Sequence, residues 1–135
     1  VYVYRLATDP ALHVFERKYM TPCEEPLDLD AMKEAAAYLV GEHDFQSFCT
    51  KKMKKSSVRK LEEIRLEQLL GELRITYRGN GFLYNMVRIL TGTLLEVGIG
   101  KLSPKDIPAI LEAKERQKAG ATAPAQGLCL KEVRY

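Results

Sequence analysis

Arg88 is the one charged side chain in "GNGFLYNMVRILTG", residues 79–92, and no acidic residue lies nearer to it in the chain than Glu96. Read as a helix centred on Arg88, this stretch brings Gly81, Tyr84, Asn85, Thr91 and Gly92 to one side, while Phe82, Met86, Ile89, Leu90 and Leu94 fill the rest. Two chemistries fit such a stripe. Either it faces water and the arginine snorkels, or the small residues clear space for a bound group and the guanidinium forks onto a carboxylate or phosphate. Spacing alone leaves both open.

A second constellation is basic. "KKMKKSSVRK", residues 51–60, carries Lys51, Lys52, Lys54, Lys55, Arg59 and Lys60 with no acid among them. A run of this kind is either a solvated loop or a contact surface for a phosphate backbone. Just before it, "GEHDFQSF" groups His43, Asp44, Phe45 and Phe48. His43 and Asp44 could suggest acid–base work, but adjacent residues rarely point the same way, and no Ser or Cys pattern completes a triad. Phe45 and Phe48 read most simply as core, and Asp44 as a cap or anchor for the loop. There is no phosphate-binding glycine motif, metal-ligand cluster or dinucleotide fingerprint, so neither a metal nor an organic cofactor is expected. "GNG" at 79–81 reads as a turn.

These residues need a scaffold. "VYVYRL" alternates as a strand, with Tyr2 and Tyr4 on one face and Val1, Val3 and Arg5 on the other. "LDLDAMKEAAAYLVG" predicts an amphipathic helix capped by Asp28 or Asp30, with Leu29, Met32, Ala35, Ala36, Leu39 and Val40 on its apolar stripe and Gly41 as its stop. From about 57 to 79 the alternation favours an antiparallel hairpin turning at Leu69–Gly71, over the rival reading of a helix across "RKLEEIRLEQLLGEL". A second helix is expected over about 81–97. A third is expected over "LSPKDIPAILEAKER", with Ser103 as N-cap, Pro104 at its first position, Asp106 closing a capping box, and Ile107, Ile110 and Leu111 facing inward. After a loop of small residues, "LCLKEVRY" predicts a final strand. The order β, α, ββ, α, α, β predicts an α+β fold: a mixed, mainly antiparallel sheet with helices packed on one face.

The totals agree with one domain over 1–135: 135 residues, 46% hydrophobic, 29% charged, net charge +3. No apolar run approaches a membrane span. Cys23, Cys49 and Cys129 are odd in number and widely spaced, which suggests neither a disulfide framework nor a zinc site and fits a reducing cytoplasm. The chain has no initiator Met and no signal-type segment, and is read as a piece of something longer.

Several segments together resemble the tRNA pseudouridine synthase A family: "YVYRL", "EPLDLDAM", "LVGEHDFQSF", "SSVRKL", "GNGFLYNMVRILTGTLLEVGIGKLSP" and "ILEAKERQKAGATAPAQGLCLKEVRY". They run over essentially the whole chain in the family's order, and "FLYNMVR" followed by "ATAPAQGL" is highly specific. The resemblance implies the pseudouridine synthase fold and a cofactor-free isomerisation of uridine to pseudouridine in the anticodon stem-loop of tRNA, at positions 38 to 40. It also implies a cytoplasmic homodimer. In this family Arg88 corresponds to the cation that pairs with the catalytic aspartate, Tyr2 to the tyrosine that covers the target base, and Leu128 to the aliphatic residue lining the pocket. Lys51, Lys52, Lys54 and Lys55 become expected tRNA backbone contacts. His43, Phe45 and Arg59 are expected to touch RNA or to support the loop that does.

One departure is serious. The family's catalytic aspartate sits in an R-T-D-x-G-V-H-like motif ahead of the Y-x-Y strand, and this chain starts after that point. Asp9, Asp28, Asp30, Asp44 and Asp106 all stand in other contexts. The expectation is therefore a C-terminal subdomain that lacks the nucleophile, depends on an N-terminal half of the same protein, and is inactive alone. A non-catalytic RNA-binding module is the alternative.

Overall fold

The computed structural model describes residues 1–9, 20–23, 25–51 and 56–130, with Cys129 and Leu130 described by their backbone alone. Lys52, Lys54, Lys55 and the last five residues of the expected final strand lie outside the described residues.

The elements run β1 (Tyr2–Ala7), β2 (Thr21–Pro22), α1 (Leu29–Leu39), β3 (Gly41–Asp44), β4 (Val58–Leu69), β5 (Glu72–Gly79), α2 (Met86–Gly98), α3 (Ile107–Ala113) and β6 (Leu128–Leu130). They form one mixed sheet in the order β2–β1–β5–β4–β3, with β6 also on β1. Only β1–β2 is parallel; β1–β5, β1–β6, β3–β4 and β4–β5 are antiparallel. This is the expected α+β class.

The hairpin forms, and the rival helix does not. Gly71, at φ 67, supplies the left-handed step that reverses the chain. The alternation in β4 is incomplete because Leu61 and Leu66, both buried, are an odd number of residues apart; a register shift between Leu61 and Glu63 lets both face the core.

That core lies on one side of the sheet. Tyr4, Leu6, Leu61, Leu66, Leu73, Ile75 and Tyr77 meet Met32, Ala35, Ala36 and Leu39 of α1, Met86, Ile89, Leu90 and Leu94 of α2, and Ile107, Ile110 and Leu111 of α3 in one apolar cluster. Asp28 caps α1 by accepting from the Ala31 amide at 3.1 Å. Ser103 and Asp106 form the anticipated capping box, but the first turn, Pro104–Asp106, is a 3₁₀ turn and α3 stops at Ala113, short of the predicted extent.

On the opposite face of the sheet, Arg5 and Arg74 stand directly across the β1–β5 ladder. Glu72 holds them together, accepting from Arg5 Nε at 3.0 Å, Arg5 Nη2 at 3.0 Å and Arg74 Nε at 2.9 Å. The bond from Arg5, with help from Arg74, overrides the opposing effect of burial and brings the Glu72 carboxyl down to about 2.

Two of the described strands are not predicted by the sequence pattern. β2 and β3 are two and four residues long. Strands this short carry no alternation of their own and exist because β1 and β4 offer them a ladder.

Candidate active site

Gly81, Tyr84 and Asn85 lie outside α2, which begins at Met86 and not near 81 as the apolar pattern predicts. Asn85 has left-handed φ and ψ of 60° and 10°, and the Met86 amide bonds back to Leu83 O at 3.0 Å. An asparagine tolerates this conformation better than other residues with a Cβ. Residues 81–85 are therefore a turn, joined to the hairpin by Asn80, whose Oδ1 accepts from the Lys60 amide at 3.0 Å while its own amide donates to Lys60 O at 3.1 Å.

This turn builds a cleft. Tyr2, Phe82, Leu83, Asn85, Met86, Val87, Arg88 and Leu128 line a volume of about 110 Å³. An enclosed cavity that takes a benzene ring is larger, about 150 Å³, so this cleft would receive only part of a planar ring, with the rest left in its open mouth. The three residues singled out by the resemblance, Tyr2 on β1, Arg88 on α2 and Leu128 at the start of β6, thus meet at one place. Phe82 and Asn85 are additions. The Tyr2 and Phe82 rings meet edge to face, with centroids 5.0 Å apart at 85°.

The arginine is held from behind. Its Nε donates to Ala123 O at 2.7 Å and its Nη1 to Asn85 Oδ1 at 3.4 Å. The Ala123 amide in turn donates to Arg88 O at 3.0 Å. No carboxylate pairs with Arg88 among the described residues, and its Nη2 carries no described hydrogen bond. A guanidinium has five donors, so the side chain is oriented by two neutral acceptors and keeps capacity for an anion. The position sharpens this: Arg88 lies in the first turn of α2, where the positive end of the helix disfavours a cation and favours an anion, and that turn contains no acid.

The loop that holds Arg88 is itself fastened. Gly92 allows the close approach, because a Cβ there would stand 1.6 Å from Ala121 O. The Gly120 amide donates to Thr93 Oγ1 at 2.9 Å. Tyr4, fully buried, hydrogen-bonds Thr21 Oγ1 at 2.7 Å and donates to Pro124 O. Burial pushes the Tyr4 hydroxyl upward, against the pull of its bond to Thr21 and of the nearby Arg88 charge, so it stays a neutral donor. Buried Tyr77, bonded to Thr91 Oγ1 at 2.7 Å, is likewise raised by desolvation.

The expected RNA-contacting residues divide. Lys51 is exposed, its ammonium 4.3 Å from the ring centroid of Tyr84. Arg59 runs beside Gly81, where a Cβ would lie 3.4 Å from its Nε, and its Nη1 donates to Ser56 O at 2.9 Å and Val58 O at 2.7 Å. Both flank the 81–85 turn. Phe45 is core, as its pattern suggests, and of the two roles the resemblance leaves open RNA contact is excluded: it is fully buried and packs on Phe48, so its ring is not available to a nucleic acid. His43 is edge-on to Phe45 and within 3.2 Å of Val40 O, and does not line the cleft. Asp44 anchors the loop, accepting from the Gln46 amide at 3.1 Å and from Ser57 Oγ. Among the described residues no group of three or more His, Cys, Asp or Glu could hold a metal ion, and no helix is long and apolar enough to cross a membrane.

Comparison with known proteins adds to this geometry. A family profile described as tRNA pseudouridine synthase matches residues 35–135. The chain is 50% identical over 135 residues to tRNA pseudouridine synthase A of Brevibacillus brevis, a match covering 99% of this chain and 55% of that protein. It is 47% identical to tRNA pseudouridine synthase A of Bacillus pumilus and 44% to tRNA pseudouridine synthase A 1 of Clostridium tetani, with the same coverage. The chain thus spans about half the length of the curated relatives it matches.

Proposed function

The chain belongs to the tRNA pseudouridine synthase family, and from that premise we propose that it supplies the base-holding side of an active site that isomerises uridine to pseudouridine in the anticodon stem-loop of tRNA. The reaction breaks the bond from C1′ to N1, turns the freed base, and joins C1′ to C5, whose proton leaves. It needs the nucleotide out of its stack, a carboxylate beside the ribose, and walls that keep the loose ring close.

The proposed roles follow from the cleft. Tyr2 and Phe82 form an aromatic wall for the ring, and Leu128 an aliphatic one. Arg88 holds a carboxylate through the edge of its guanidinium that Ala123 and Asn85 leave open. A guanidinium suits this task because it stays charged, forks onto two oxygens, and keeps its partner ionised. Lysine, a point charge, would orient the acid less well.

That acid is proposed to come from polypeptide outside these residues, in the N-terminal half of the same protein, so that the 135 residues alone have no turnover. The homodimer and cytoplasmic setting implied by the resemblance belong to the same proposal for the whole protein. The observation that carries the reading is the half-buried cation on α2 that faces a cleft walled by Tyr2, Phe82 and Leu128, without a carboxylate partner among the described residues. A stand-alone RNA-gripping module explains Lys51 and Arg59 equally well, but not a cation recessed in such a cleft.

Tritium release from tRNA labelled at uridine C5 provides the test. In the full-length protein Arg88→Ala is expected to lower turnover by at least roughly 100-fold, the scale of losing one preorganised electrostatic contact, with tRNA affinity little changed. Near-normal release would remove Arg88 from the site.

A further inference from the structure

Tyr84 is 55% exposed, the most exposed aromatic side chain among the described residues. Its neighbours Leu83 and Asn85 turn into the cleft, and Tyr84 is thrown outward at the rim. The Lys51 ammonium sits 4.3 Å from its ring centroid, and no carboxylate pairs with Lys51 among the described residues. Both partners are mounted on anchored turns. Lys51 O accepts from Cys49 Sγ at 3.1 Å and Gln46 Nε2 at 3.2 Å, and Asn85 Nδ2 reaches Thr50 Oγ1 at 3.5 Å, tying the two turns together.

As a purely structural feature this pair achieves little, since an exposed cation–π contact is worth only about 0.5–1 kcal/mol. The combination has a clear chemical complement. The ammonium lies over one face of the ring; the other flat π-face takes a nucleobase whatever its sequence, and the ammonium takes the phosphate attached to it. The geometry points to Tyr84 and Lys51 as a stacking clamp for one unpaired nucleotide beside the reacting uridine. The inference rests on the synthase reading and adds a second nucleotide site to it. When a uridine leaves its stack, its neighbour loses a stacking partner; Tyr84 replaces that partner at the mouth of the cleft, and Lys51 fixes the backbone between the two nucleotides. The clamp selects an unpaired strand, because a base inside a duplex offers no free face.

The test uses the full-length enzyme and an anticodon stem-loop RNA carrying 2-aminopurine at each loop position in turn. Stacking quenches the fluorescence of this base. One position is expected to be quenched with wild type and with Tyr84→Phe, but not with Tyr84→Leu, which keeps apolar bulk and loses the π-face. Affinity for the unmodified RNA is expected to fall roughly 5- to 150-fold in Tyr84→Leu, the range of one base–aromatic stack. Lys51→Gln should flatten the slope of log affinity against log salt by about 0.7. Tyr84→Trp, which enlarges the face, is expected to bind at least as tightly as wild type, and serves as a readout that cannot be mimicked by loss of folding. Wild-type affinity for Tyr84→Leu, or quenching that persists in it, overturns the clamp. Tritium release by the unaltered enzyme decides the synthase reading separately. An enzyme that isomerises uridine but is indifferent to Tyr84→Leu sinks the clamp alone; one that stacks a base on Tyr84 but forms no pseudouridine sinks the synthase reading alone.

Discussion

Replacing Gly92 by alanine sets two effects of opposite sign against each other. Inside a helix, alanine is favoured over glycine by about 1 kcal/mol, so α2 in isolation would gain. In the folded protein the new Cβ would stand 1.6 Å from Ala121 O and 2.8 Å from Ala121 C. Both are backbone atoms, which cannot swing aside as the tip of a side chain can. A carbon and a carbonyl oxygen need about 3.3 Å, so this part of the loop must retreat by roughly 1.7 Å. It is fastened on both sides of that point: before it by the Gly120 amide to Thr93 Oγ1 at 2.9 Å, and after it by the Ala123 amide to Arg88 O at 3.0 Å, Arg88 Nε to Ala123 O at 2.7 Å, and Tyr4 to Pro124 O. Overpacking of this kind costs about 1–3 kcal/mol, which outweighs the gain in propensity. The expected net result is a loss of up to about 2 kcal/mol and a few degrees in Tm. The functional effect should be larger. A misplacement of about 1 Å can cost roughly 100-fold in rate, and the loop carries the acceptor that aims Arg88. Differential scanning calorimetry and tritium release in full-length Gly92→Ala measure the two. A raised Tm with an unchanged rate would refute the reasoning, because it would mean that the loop is free to move without disturbing Arg88.

Two further outcomes are expected. A carboxyl that falls from 4.5 to about 2 on folding, as that of Glu72 does, contributes about 3 kcal/mol that is fully present above pH 4.5 and lost as pH falls through about 2. Glu72→Gln should therefore destabilise the chain by about that much at neutral pH, leaving Arg5 and Arg74 opposed, and flatten the acid limb of its stability curve; urea melts at pH 7 that match wild type would contradict this. At Asn85, glycine keeps the left-handed backbone without strain but deletes both side-chain contacts, whereas aspartate puts a carboxylate beside Arg88 that competes for its open edge. Tritium release should fall further in Asn85→Asp than in Asn85→Gly while both stay folded, and the reverse order would mean that Arg88 does not receive an acid.

What the sequence determined by itself is local or written in motifs. The stripe of Met32, Ala35, Ala36 and Leu39, an aspartate cap at 28 or 30, the Ser103–Asp106 capping box and, as the favoured of two readings, the β4–β5 hairpin follow from side-chain period and turn chemistry within a few residues. The resemblance pointed to Tyr2, Arg88 and Leu128 through matching blocks. The sequence places the start of α2 too early because Phe82 and Leu83 extend the apolar pattern backward, and period reports which faces are greasy, not where a left-handed Asn85 ends the turn. Only the tertiary structure decided what each residue meets. Ala123 lies 35 residues from the Arg88 it aims, Glu72 lies 67 from Arg5, Phe82 meets Tyr2 edge to face, and Phe45 is sealed in the core. The physical reason is that such contacts exist only after β1 has been enclosed between β5 and β6. Closing those long loops is driven by burial of the whole apolar face, a property of the assembled layers that no short stretch of residues carries.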